Sequence, residues 1–574
     1  MTAFLWGYGA FAVLLLLLVN GFLRRRASRM AQRTKLEPHA ASPSGRPAAT
    51  PASSGAPDLS NLKIGKLLAV VLLGGFVAVL NQSLLNIALP HMMNDLNVSA
   101  TTINWLITGY MLMNGVTIPL SSFLTRRFGT RNLFIFAILL FTLGAIICAA
   151  SPGFTLILVG RFVQAGGAGL IMPLMMNVVL TVFPPEKRGM AMGLAGVVVI
   201  FAPAIGPTLA GWVVQNYSWR LLFILVIPIG IIDLLIALTW MKDVTERVRE
   251  KFDLWGFLFS TIGFGDLLFG FSKAGSAGWT SPQVLIPIVV GIIGLALFVW
   301  RELTTDEPML DLRAFGYSVF TLAIIVSSLM YMAMIAAMVL LPIYLQNIRG
   351  FTPVESGLLL LPGALMMAVF SPIAGGLMNR IGARPLIVTG LVISVITTWQ
   401  FTHLSADTSY GTILVLNSIR MIGMALMMMT TTTEGLNQLP ERLGSHGTAL
   451  SNTFQQVFAS LGTALLVTIM TTHATYHAAS LANEMTTTNP LLYQQLGRLG
   501  QGVAVSTGLS AQASNSLVSV LMNGLIVKES TIQGINDAFV VGTALTAAAL
   551  LTSLFMRRSK AKVVSQPAEG YHEA

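Results

Sequence analysis

The chain has 574 residues, of which 54% are hydrophobic and only 10% are charged. A soluble globular protein carries roughly 25% charged residues, so this composition excludes an ordinary soluble enzyme and predicts a polytopic membrane protein. The net charge of +11 does not indicate a nucleic-acid partner, because the cationic residues follow the sides of the predicted membrane spans. The single cysteine, Cys148, lies in an apolar run and excludes an internal disulfide framework.

The first apolar run covers residues 4–23 and is followed by three arginines, Arg24 to Arg26. A cleaved signal peptide carries its positive charge before the apolar core, so this order predicts an extra N-terminal span that serves as a membrane tether or binds a partner protein. The alternative is a misassigned start codon. Residues 24–62 form a basic and then Pro/Ala/Ser-rich linker, whose composition is typical of disorder.

Fourteen further apolar segments are long enough to cross a hydrocarbon core of about 30 Å as helices. They lie at about residues 65–89, 105–123, 132–150, 154–182, 190–214, 220–241, 254–273, 284–300, 317–341, 354–378, 385–403, 411–437, 447–472 and 535–556. This pattern predicts an all-α polytopic membrane protein with an outer loop at residues 473–534 and a tail at residues 557–574.

Lysine and arginine are distributed unevenly between the loops. With the N terminus of span 1 on the cytoplasmic side, the inner loops and the tail carry 18 of these residues and the outer side carries five. The positive-inside rule therefore supports this orientation.

An internal repeat appears at an offset of 253 residues, where Pro119 to Arg131 aligns with Pro372 to Arg384. Matched pairs are Arg127 with Arg380, Gly129 with Gly382, and Arg131 with Arg384. Two six-span halves, residues 63–241 and 317–556, separated by two inserted spans at 242–316, predict a transporter that rocks around a midplane site.

Span 5 groups its small residues and prolines between Met192 and Trp212. Pro203 and Pro207 each remove an amide donor, so we expect a kink here. Gly206 and Ala210 share one face, which lets another helix approach closely. The alternative is an ordinary packing helix, since Gly and Pro are common in membrane spans.

Several motifs together resemble those of the major facilitator superfamily, in its fourteen-span drug:proton antiporter type, the EmrB/QacA group. The relevant stretches are Pro203, Gly206, Pro207 and Gly211 in span 5, RFVQAGGAG from Arg161 to Gly169 in span 4, the two repeat loops, and LNQSLLNIALP from Leu80 to Pro90 in span 1. The resemblance implies a major facilitator fold with two six-helix halves, gating loops at the repeat, and export of amphipathic drugs from the cell membrane in exchange for protons.

The chain also departs from the family pattern. Asn81 stands where the span 1 pattern usually has Asp, and an asparagine cannot carry a proton. Arg126 and Asn379 replace the usual Asp of the two loops, and Ser122 replaces the first glycine of the signature. Proton coupling must therefore use another residue, or transport must proceed without protons.

Three acids inside spans are candidates for proton coupling, because an ionised side chain in hydrocarbon is costly and needs a reason. Asp233 in span 6 is the first choice, with pairing to a polar neighbour as its alternative role. Asp266 in span 7 belongs to the inserted pair, which the family arrangement places at the periphery, and Glu434 in span 12 is close enough to the inner surface to be solvated.

Arg161 cannot release its proton and needs an acceptor or a water-filled cavity. The resemblance makes it a coupling residue, with Asp233 as its expected partner and Gln164 as a neutral one; snorkelling or helix pairing is the alternative. Arg420 is its counterpart in the second half, which we interpret as structural.

Polar residues of the first two spans either line the substrate path or hold helices together. They are Asn81, Gln82, Asn86 and Asn114. Methionine-rich runs, including Met424 to Thr430, provide either an adaptable ligand surface or lipid-facing packing.

The sequence lacks a P-loop, a G-x-S-x-G motif and an H-E-x-x-H motif, so we expect no enzymatic activity, and no metal or cofactor beyond a proton gradient. The expected partners are the bilayer, protons and small amphipathic compounds. Two other functions remain open: export of one metabolite or lipid, and a non-transporting receptor or scaffold on the same fold.

Overall fold

The computed structural model describes residues 63–556, with gaps at 99, 104, 246–252, 306–307, 485–496, 500, 503, 507 and 509. The predicted N-terminal span at 4–23, the linker at 24–62 and the tail at 557–574 lie outside the described residues.

Within the described residues the chain forms fourteen long helices, one for each predicted span. They are α1 (Ile64–Leu96), α2 (Trp105–Phe128), α3 (Thr130–Ala150), α4 (Phe154–Val182), α5 (Pro185–Asn216), α6 (Arg220–Trp240), α7 (Leu254–Ala277), α8 (Pro282–Thr304), α9 (Ser318–Ile343), α10 (Pro353–Ile381), α11 (Ala383–Gln400), α12 (Tyr410–Asn437), α13 (Glu441–Glu484) and α14 (Ala511–Leu554). Short helical turns lie at Ala100–Ile103, Leu312–Gly316, Tyr344–Ile348 and Phe401–His403. The predicted all-α polytopic fold is therefore confirmed.

Thirteen of these described helices are long and apolar enough to cross a membrane. The remaining one, α2, carries buried polar side chains such as Asn114, Ser121 and Ser122, which lower its hydropathy. Its polarity is directed inward, as expected for a helix that contributes to a polar interior.

The predicted outer loop at residues 473–534 is wrong in its secondary structure. α13 continues to Glu484 and α14 begins at Ala511, so both helices extend beyond the apolar segments that define spans 13 and 14. Twelve residues past 472 add about 18 Å of helix. The segment from 473 to 484 contains neither Gly nor Pro, so nothing stops the helix where the hydropathy falls. The predicted amphipathic stretch from Leu517 to Ile526 is part of α14.

The two halves meet along α5 and α10, where glycines bring the backbones into contact. A Cβ atom added to Gly193 of α5 would lie 2.6 Å from the carbonyl oxygen of Ser371 and 2.8 Å from Cα of Pro372, both on α10. The Ser371 hydroxyl donates a hydrogen bond to the Gly193 carbonyl (2.9 Å). One turn away, Gly189 faces Gly375 in the same manner. This close approach lies at the inner end predicted from the charge distribution.

The inserted helix α7 contacts both halves, whereas α8 packs mainly on α7. Ser272 of α7 lies 3.1 Å from Thr108 of α2, hydroxyl to hydroxyl. Just after α7, Trp279 donates from its indole nitrogen to the Thr468 hydroxyl of α13 (2.9 Å). α7 therefore packs against α2 of the first half and α13 of the second half.

The two copies of the internal repeat adopt the same local structure. Gly129 and Gly382 both have a positive backbone dihedral φ, 82° and 88°. Residues other than glycine rarely adopt this conformation. Arg131 donates to the carbonyl of Leu238 near the end of α6 (2.9 Å), and Arg384 donates to the carbonyl of Leu554 at the end of α14 (2.8 Å). Each arginine thus places positive charge at the negative end of a helix. Arg127 and Arg380 are exposed in the last turns of α2 and α10.

We predict that Gly375→Ala destabilises the protein while Gly376→Ala does not. A methyl group on Gly375 would strike the backbone of Gly189, whereas one on Gly376 meets nothing within 4 Å. Overpacking of this kind typically costs about 1–3 kcal/mol, which thermal unfolding of the purified variants would detect as a lower melting temperature. Equal melting temperatures for the two variants would contradict the backbone contact.

Candidate functional site

Arg161 is the centre of a buried polar cluster in the first half. It lies on α4 with 1% of its surface exposed. One terminal nitrogen donates to Asn81 Oδ1 of α1 (2.6 Å) and to Gln164 Oε1 (2.8 Å), and Nε donates to the Leu106 carbonyl of α2 (3.3 Å). The guanidinium carbon lies 3.9 Å from the centroid of the Tyr110 ring. We call Asn81, Tyr110, Arg161 and Gln164 the Arg161 cluster.

The groups that hold this guanidinium are all neutral. Amide and backbone oxygens accept three hydrogen bonds from its N–H groups, and the Tyr110 ring adds a cation–π contact, worth about 2 kcal/mol or more when desolvated. None of these partners cancels the charge. Since Arg161 cannot lose its proton, the cluster keeps a permanent positive charge inside the first half.

Three polar atoms on α2 and α4, the helices that carry Tyr110 and Arg161, are buried without a hydrogen-bond partner among the described residues. They are Tyr110 Oη, Asn114 Oδ1 and Gln164 Nε2. Leaving a buried polar group unsatisfied costs about 1–3 kcal/mol. These atoms are therefore suited to binding water or the polar groups of a substrate. The predicted Gln164 contact is present, and the predicted lining residues Asn81 and Asn114 are both buried.

Asp233 on α6 is fully buried, with 0% of its surface exposed. Neither carboxyl oxygen has a hydrogen-bond partner among the described residues. A Cβ atom added to Gly74 of α1 would lie 2.8 Å from Asp233 Oδ2 and 2.8 Å from Cζ of Phe134 on α3. The missing side chain of Gly74 thus makes the space that the carboxyl group fills, between two apolar helices.

The expected pairing of Arg161 with Asp233 is not formed. Asp233 contacts α1 at Gly74, whereas Arg161 contacts it at Asn81. These two α1 positions are seven residues apart, which places them on nearly the same face but about 10.5 Å apart along the axis. The acid and the base therefore touch one helix two turns apart, and neither neutralises the other.

The other two candidate acids are less enclosed. Asp266 on α7 and Glu434 on α12 are partly buried, unlike Asp233. The threonines that precede Glu434 do not donate hydrogen bonds to its carboxyl group. Instead, the hydroxyls of Thr430 to Thr433 each donate to the backbone carbonyl four residues earlier in α12.

Arg420 is an incomplete counterpart of Arg161. It is 4% exposed, donates to Asn417 Oδ1 at 3.3 Å, and lies 5.9 Å from the Phe401 ring centroid. Its Nε is buried with no partner among the described residues. A small cavity beside it is lined in equal part by apolar side chains, among them Met330, Met334 and Met424, and by polar ones, which are Arg420 and the hydroxyl-bearing Ser394, Thr398 and Thr546. The structural interpretation of Arg420 stays a prediction.

The motif of α5 packs against α1, as its small residues predict. A Cβ atom on Gly206 would lie 2.8 Å from Cβ of Ser83, and Ala210 and Gly211 are buried. Pro203 is partly buried, and the kink at Pro203 and Pro207 stays a prediction. Gln82 is partly buried, and the side chain of Asn86 lies outside the described residues.

One polar contact between the halves escaped the sequence interpretation. Ser122 Oγ of α2 lies 3.1 Å from His446 Nδ1 of α13, and the same nitrogen accepts from the Asp311 amide (3.0 Å). In the sequence, Ser122 differs from the loop signature only by standing in place of its first glycine. That departure was the available signal, because a hydroxyl can form a contact that glycine cannot.

The methionine run of α12 is internal. Met424, Met427, Met428 and Met429 are all buried, and Met429 lies against Gly196 of α5 in the other half. The run therefore packs the core and the interface between the halves rather than facing lipid.

The chain matches the family model of the Major Facilitator Superfamily over residues 71–463. It is 46% identical over 491 residues to the uncharacterized MFS-type transporter YhcA of Bacillus subtilis, covering 86% of this chain and 92% of the relative. It is 38% identical over 494 residues to the lincomycin resistance protein LmrB of Listeria monocytogenes (86% and 97%). It is 29% identical over 466 residues to the multidrug export protein EmrB of Escherichia coli (80% and 90%).

Two solved structures share the fold at low sequence identity. The human organic anion transporter MFSD10 gives a TM-score of 0.57 at 12% identity, covering 86% of this chain and 99% of that one. The proton:xylose symporter XylE gives 0.52 at 14% identity (87% and 96%). Because the family model spans more than half of the chain and the relatives cover nearly all of the helical region, this integral, multi-pass membrane protein belongs to the major facilitator superfamily, in its EmrB/QacA-type group.

Proposed function

We propose that this protein exports amphipathic drugs or toxic compounds across the cell membrane, a bacterial inner or plasma membrane, in exchange for protons. Support for drug export comes from the relatives, since one is named for lincomycin resistance and another for multidrug export. The proton gradient is the proposed energy source, with no bound cofactor. An exporter of one metabolite or lipid, or a non-transporting receptor, is the alternative that the transport experiment separates.

The observation that carries proton coupling is the sealed carboxyl group of Asp233. An ionised carboxylate with no donor and no cation nearby is strongly penalised in an apolar interior. The neutral, protonated acid is therefore the form that fits this conformation. Releasing the proton requires water or a cation to reach the carboxylate, which requires α1, α3 and α6 to move apart.

The helix α1 is the proposed link between the proton and the substrate. Its Gly74 covers Asp233 and its Asn81 holds Arg161. A movement of α1 that admits water to Asp233 would also change the bond between Asn81 and Arg161. Proton and substrate would then exclude one another through a shared two-state helix rather than by competing for one carboxylate.

The permanent charge of Arg161 bears on substrate choice. No carboxylate among the described residues pairs with Arg161, so the Arg161 cluster repels cations and offers the unpartnered Tyr110 Oη and Gln164 Nε2 to hydrogen-bonding groups. Of the cationic and neutral compounds expected from the sequence, neutral amphipathic compounds suit this site better. The extra N-terminal span remains a proposed tether or partner-binding helix.

The proposed function predicts that inverted vesicles containing the protein accumulate several amphipathic compounds, and that a protonophore abolishes this uptake. A panel of fluorescent and radiolabelled compounds, with vesicles lacking the protein as the control, measures it. Uptake of one compound would favour a dedicated exporter, and uptake of none would favour a receptor. Uptake that persists unchanged after the proton gradient collapses would refute antiport.

Asp233→Asn should abolish proton-driven efflux while membrane insertion and substrate binding remain. The amide fills the same space but cannot carry the proton. Asp233→Glu should retain part of the activity, and Asp266→Asn, the matched acid-to-amide control in α7, should be milder. Transport assays from mildly acidic to mildly alkaline pH check this. If Asp233→Asn behaves as wild type and Asp266→Asn does not, coupling belongs to α7.

Arg161→Met should lower the melting temperature and the efflux rate more than Arg420→Met. Removing Arg161 leaves the side-chain acceptors of Asn81 and Gln164 without this donor, at roughly 1–3 kcal/mol each, and removes its contact with the Leu106 carbonyl. Removing Arg420 deprives only Asn417. Thermal unfolding and transport are measured on the same preparations. Equal losses in both variants would show that the Arg161 cluster has no special role.

A further inference from the structure

Two histidines and an aspartate converge where α13 and α14 leave the predicted membrane region. His473 Nδ1 and His477 Nε2 each lie 2.8 Å from Asp537 Oδ2. The three ligand atoms all lie within 4.8 Å of one another. We call these residues the outer His–Asp cluster. It shares no residue with the Arg161 cluster or Asp233.

The two helices hold the cluster in a defined geometry. His473 and His477 are four residues apart on α13 and therefore project from one face of that helix. α14 approaches closely because a Cβ atom on Gly534 would lie 2.8 Å from the amide nitrogen of Ala474. Next to Asp537, Asn536 donates to the Leu404 carbonyl (2.9 Å) and anchors α14.

We propose that the outer His–Asp cluster binds a divalent transition-metal ion of the zinc class. Two imidazole nitrogens and a carboxylate oxygen form a ligand set that zinc uses, whereas calcium and magnesium prefer oxygen ligands alone. Both rings are directed at a single carboxylate oxygen. A metal ion bound between the two ring nitrogens and Asp537 Oδ2 would take the place of the two N–H hydrogen bonds to that oxygen.

The three ligand atoms must shift to admit the ion. Zinc–ligand distances of about 2.0–2.1 Å in a tetrahedral site separate neighbouring ligand atoms by about 3.3 Å. The present nitrogen-to-oxygen separations of 2.8 Å must widen by about half an ångström, and the two ring nitrogens, which lie within 4.8 Å of each other, must come to the same separation. Rotation of these side chains can supply both changes. The side chains of His473, His477 and Asp537 are 51%, 27% and 36% exposed, so a water molecule can complete the site.

A bound ion would tie the outer ends of α13 and α14 together. Thr468, about one helical turn before His473, accepts the hydrogen bond from Trp279 that connects α13 with the α7 side. The site therefore lies beside a contact between the second half and the inserted pair. An ion supplied from the outer side would stiffen this corner of the protein.

The test uses the purified full chain with an affinity tag that lacks histidine, freed of metal by a chelator. Zinc chloride is titrated by calorimetry, and cobalt chloride is added separately to record the visible absorption of a tetrahedral cobalt site. The variants are His473→Asn and Asp537→Asn. His403→Asn is the matched control, because His403 is an exposed histidine whose described side-chain hydrogen bond is to Thr402.

We expect wild type and His403→Asn to bind one zinc ion per chain at the cluster. In His473→Asn and Asp537→Asn this ion should be absent or should bind at least about tenfold more weakly. We also expect a tetrahedral cobalt spectrum in wild type that both cluster variants lose. Wild type without this cobalt spectrum, or zinc binding equal in all four proteins, would overturn the proposal and leave a hydrogen-bonded cluster. The wild-type spectrum decides the matter even if a variant fails to fold.

Discussion

The structure depends on how a permanent charge is accommodated inside the bundle. Arg161 cannot become neutral, and the chain surrounds it with amide, carbonyl and aromatic groups rather than with an acid. Asn81 decides this, because the usual aspartate of the family pattern would have formed an ion pair at the same place. Asp233, the one fully buried acid among the candidates, contacts α1 two turns away at Gly74 and has no hydrogen-bond partner among the described residues, so burial favours its protonated form. The charged guanidinium of Arg161 and the carboxyl group of Asp233 therefore contact α1 two helical turns apart.

The two halves share a framework but not a chemistry. The repeat loops keep the same glycine conformation and the same arginine at a helix end. The buried arginines differ, however, because Arg420 has one long hydrogen bond whereas Arg161 has three hydrogen bonds and a close contact with the Tyr110 ring. We interpret the first half as the half that carries the polar chemistry. The second half supplies an apolar, methionine-rich surface that packs against α5. At glycines of α5 and α10 the two backbones are in direct contact, so no bulky side chains interlock there.

Local patterns were sufficient to predict the fourteen long helices between residues 63 and 556 and the repeat, because apolar length and glycine-containing turns can be recognised directly in the sequence. The ends of α13 and α14 could not be predicted in the same way, since hydropathy marks the membrane boundary rather than the end of a helix. The separation of Arg161 from Asp233 depends on which α1 residue each one contacts, and this stagger requires packing. His473 and Asp537 are likewise distant in sequence and meet only because Gly534 lets two helices approach. The contact of Ser122 with His446 joins residues 324 positions apart in the two halves, so no local sequence pattern predicts it.

The protonation state of Asp233 is the most direct test of this account. Isotope-edited infrared difference spectroscopy of the reconstituted protein, recorded on adding a transported compound, reports the stretching band of a protonated carboxyl group. We predict that wild type loses this band when the compound binds, that Asp266→Asn loses it equally, and that Asp233→Asn shows no such change. A substrate-sensitive carboxyl band that persists in Asp233→Asn would contradict the central claim, because another acid would then carry the proton.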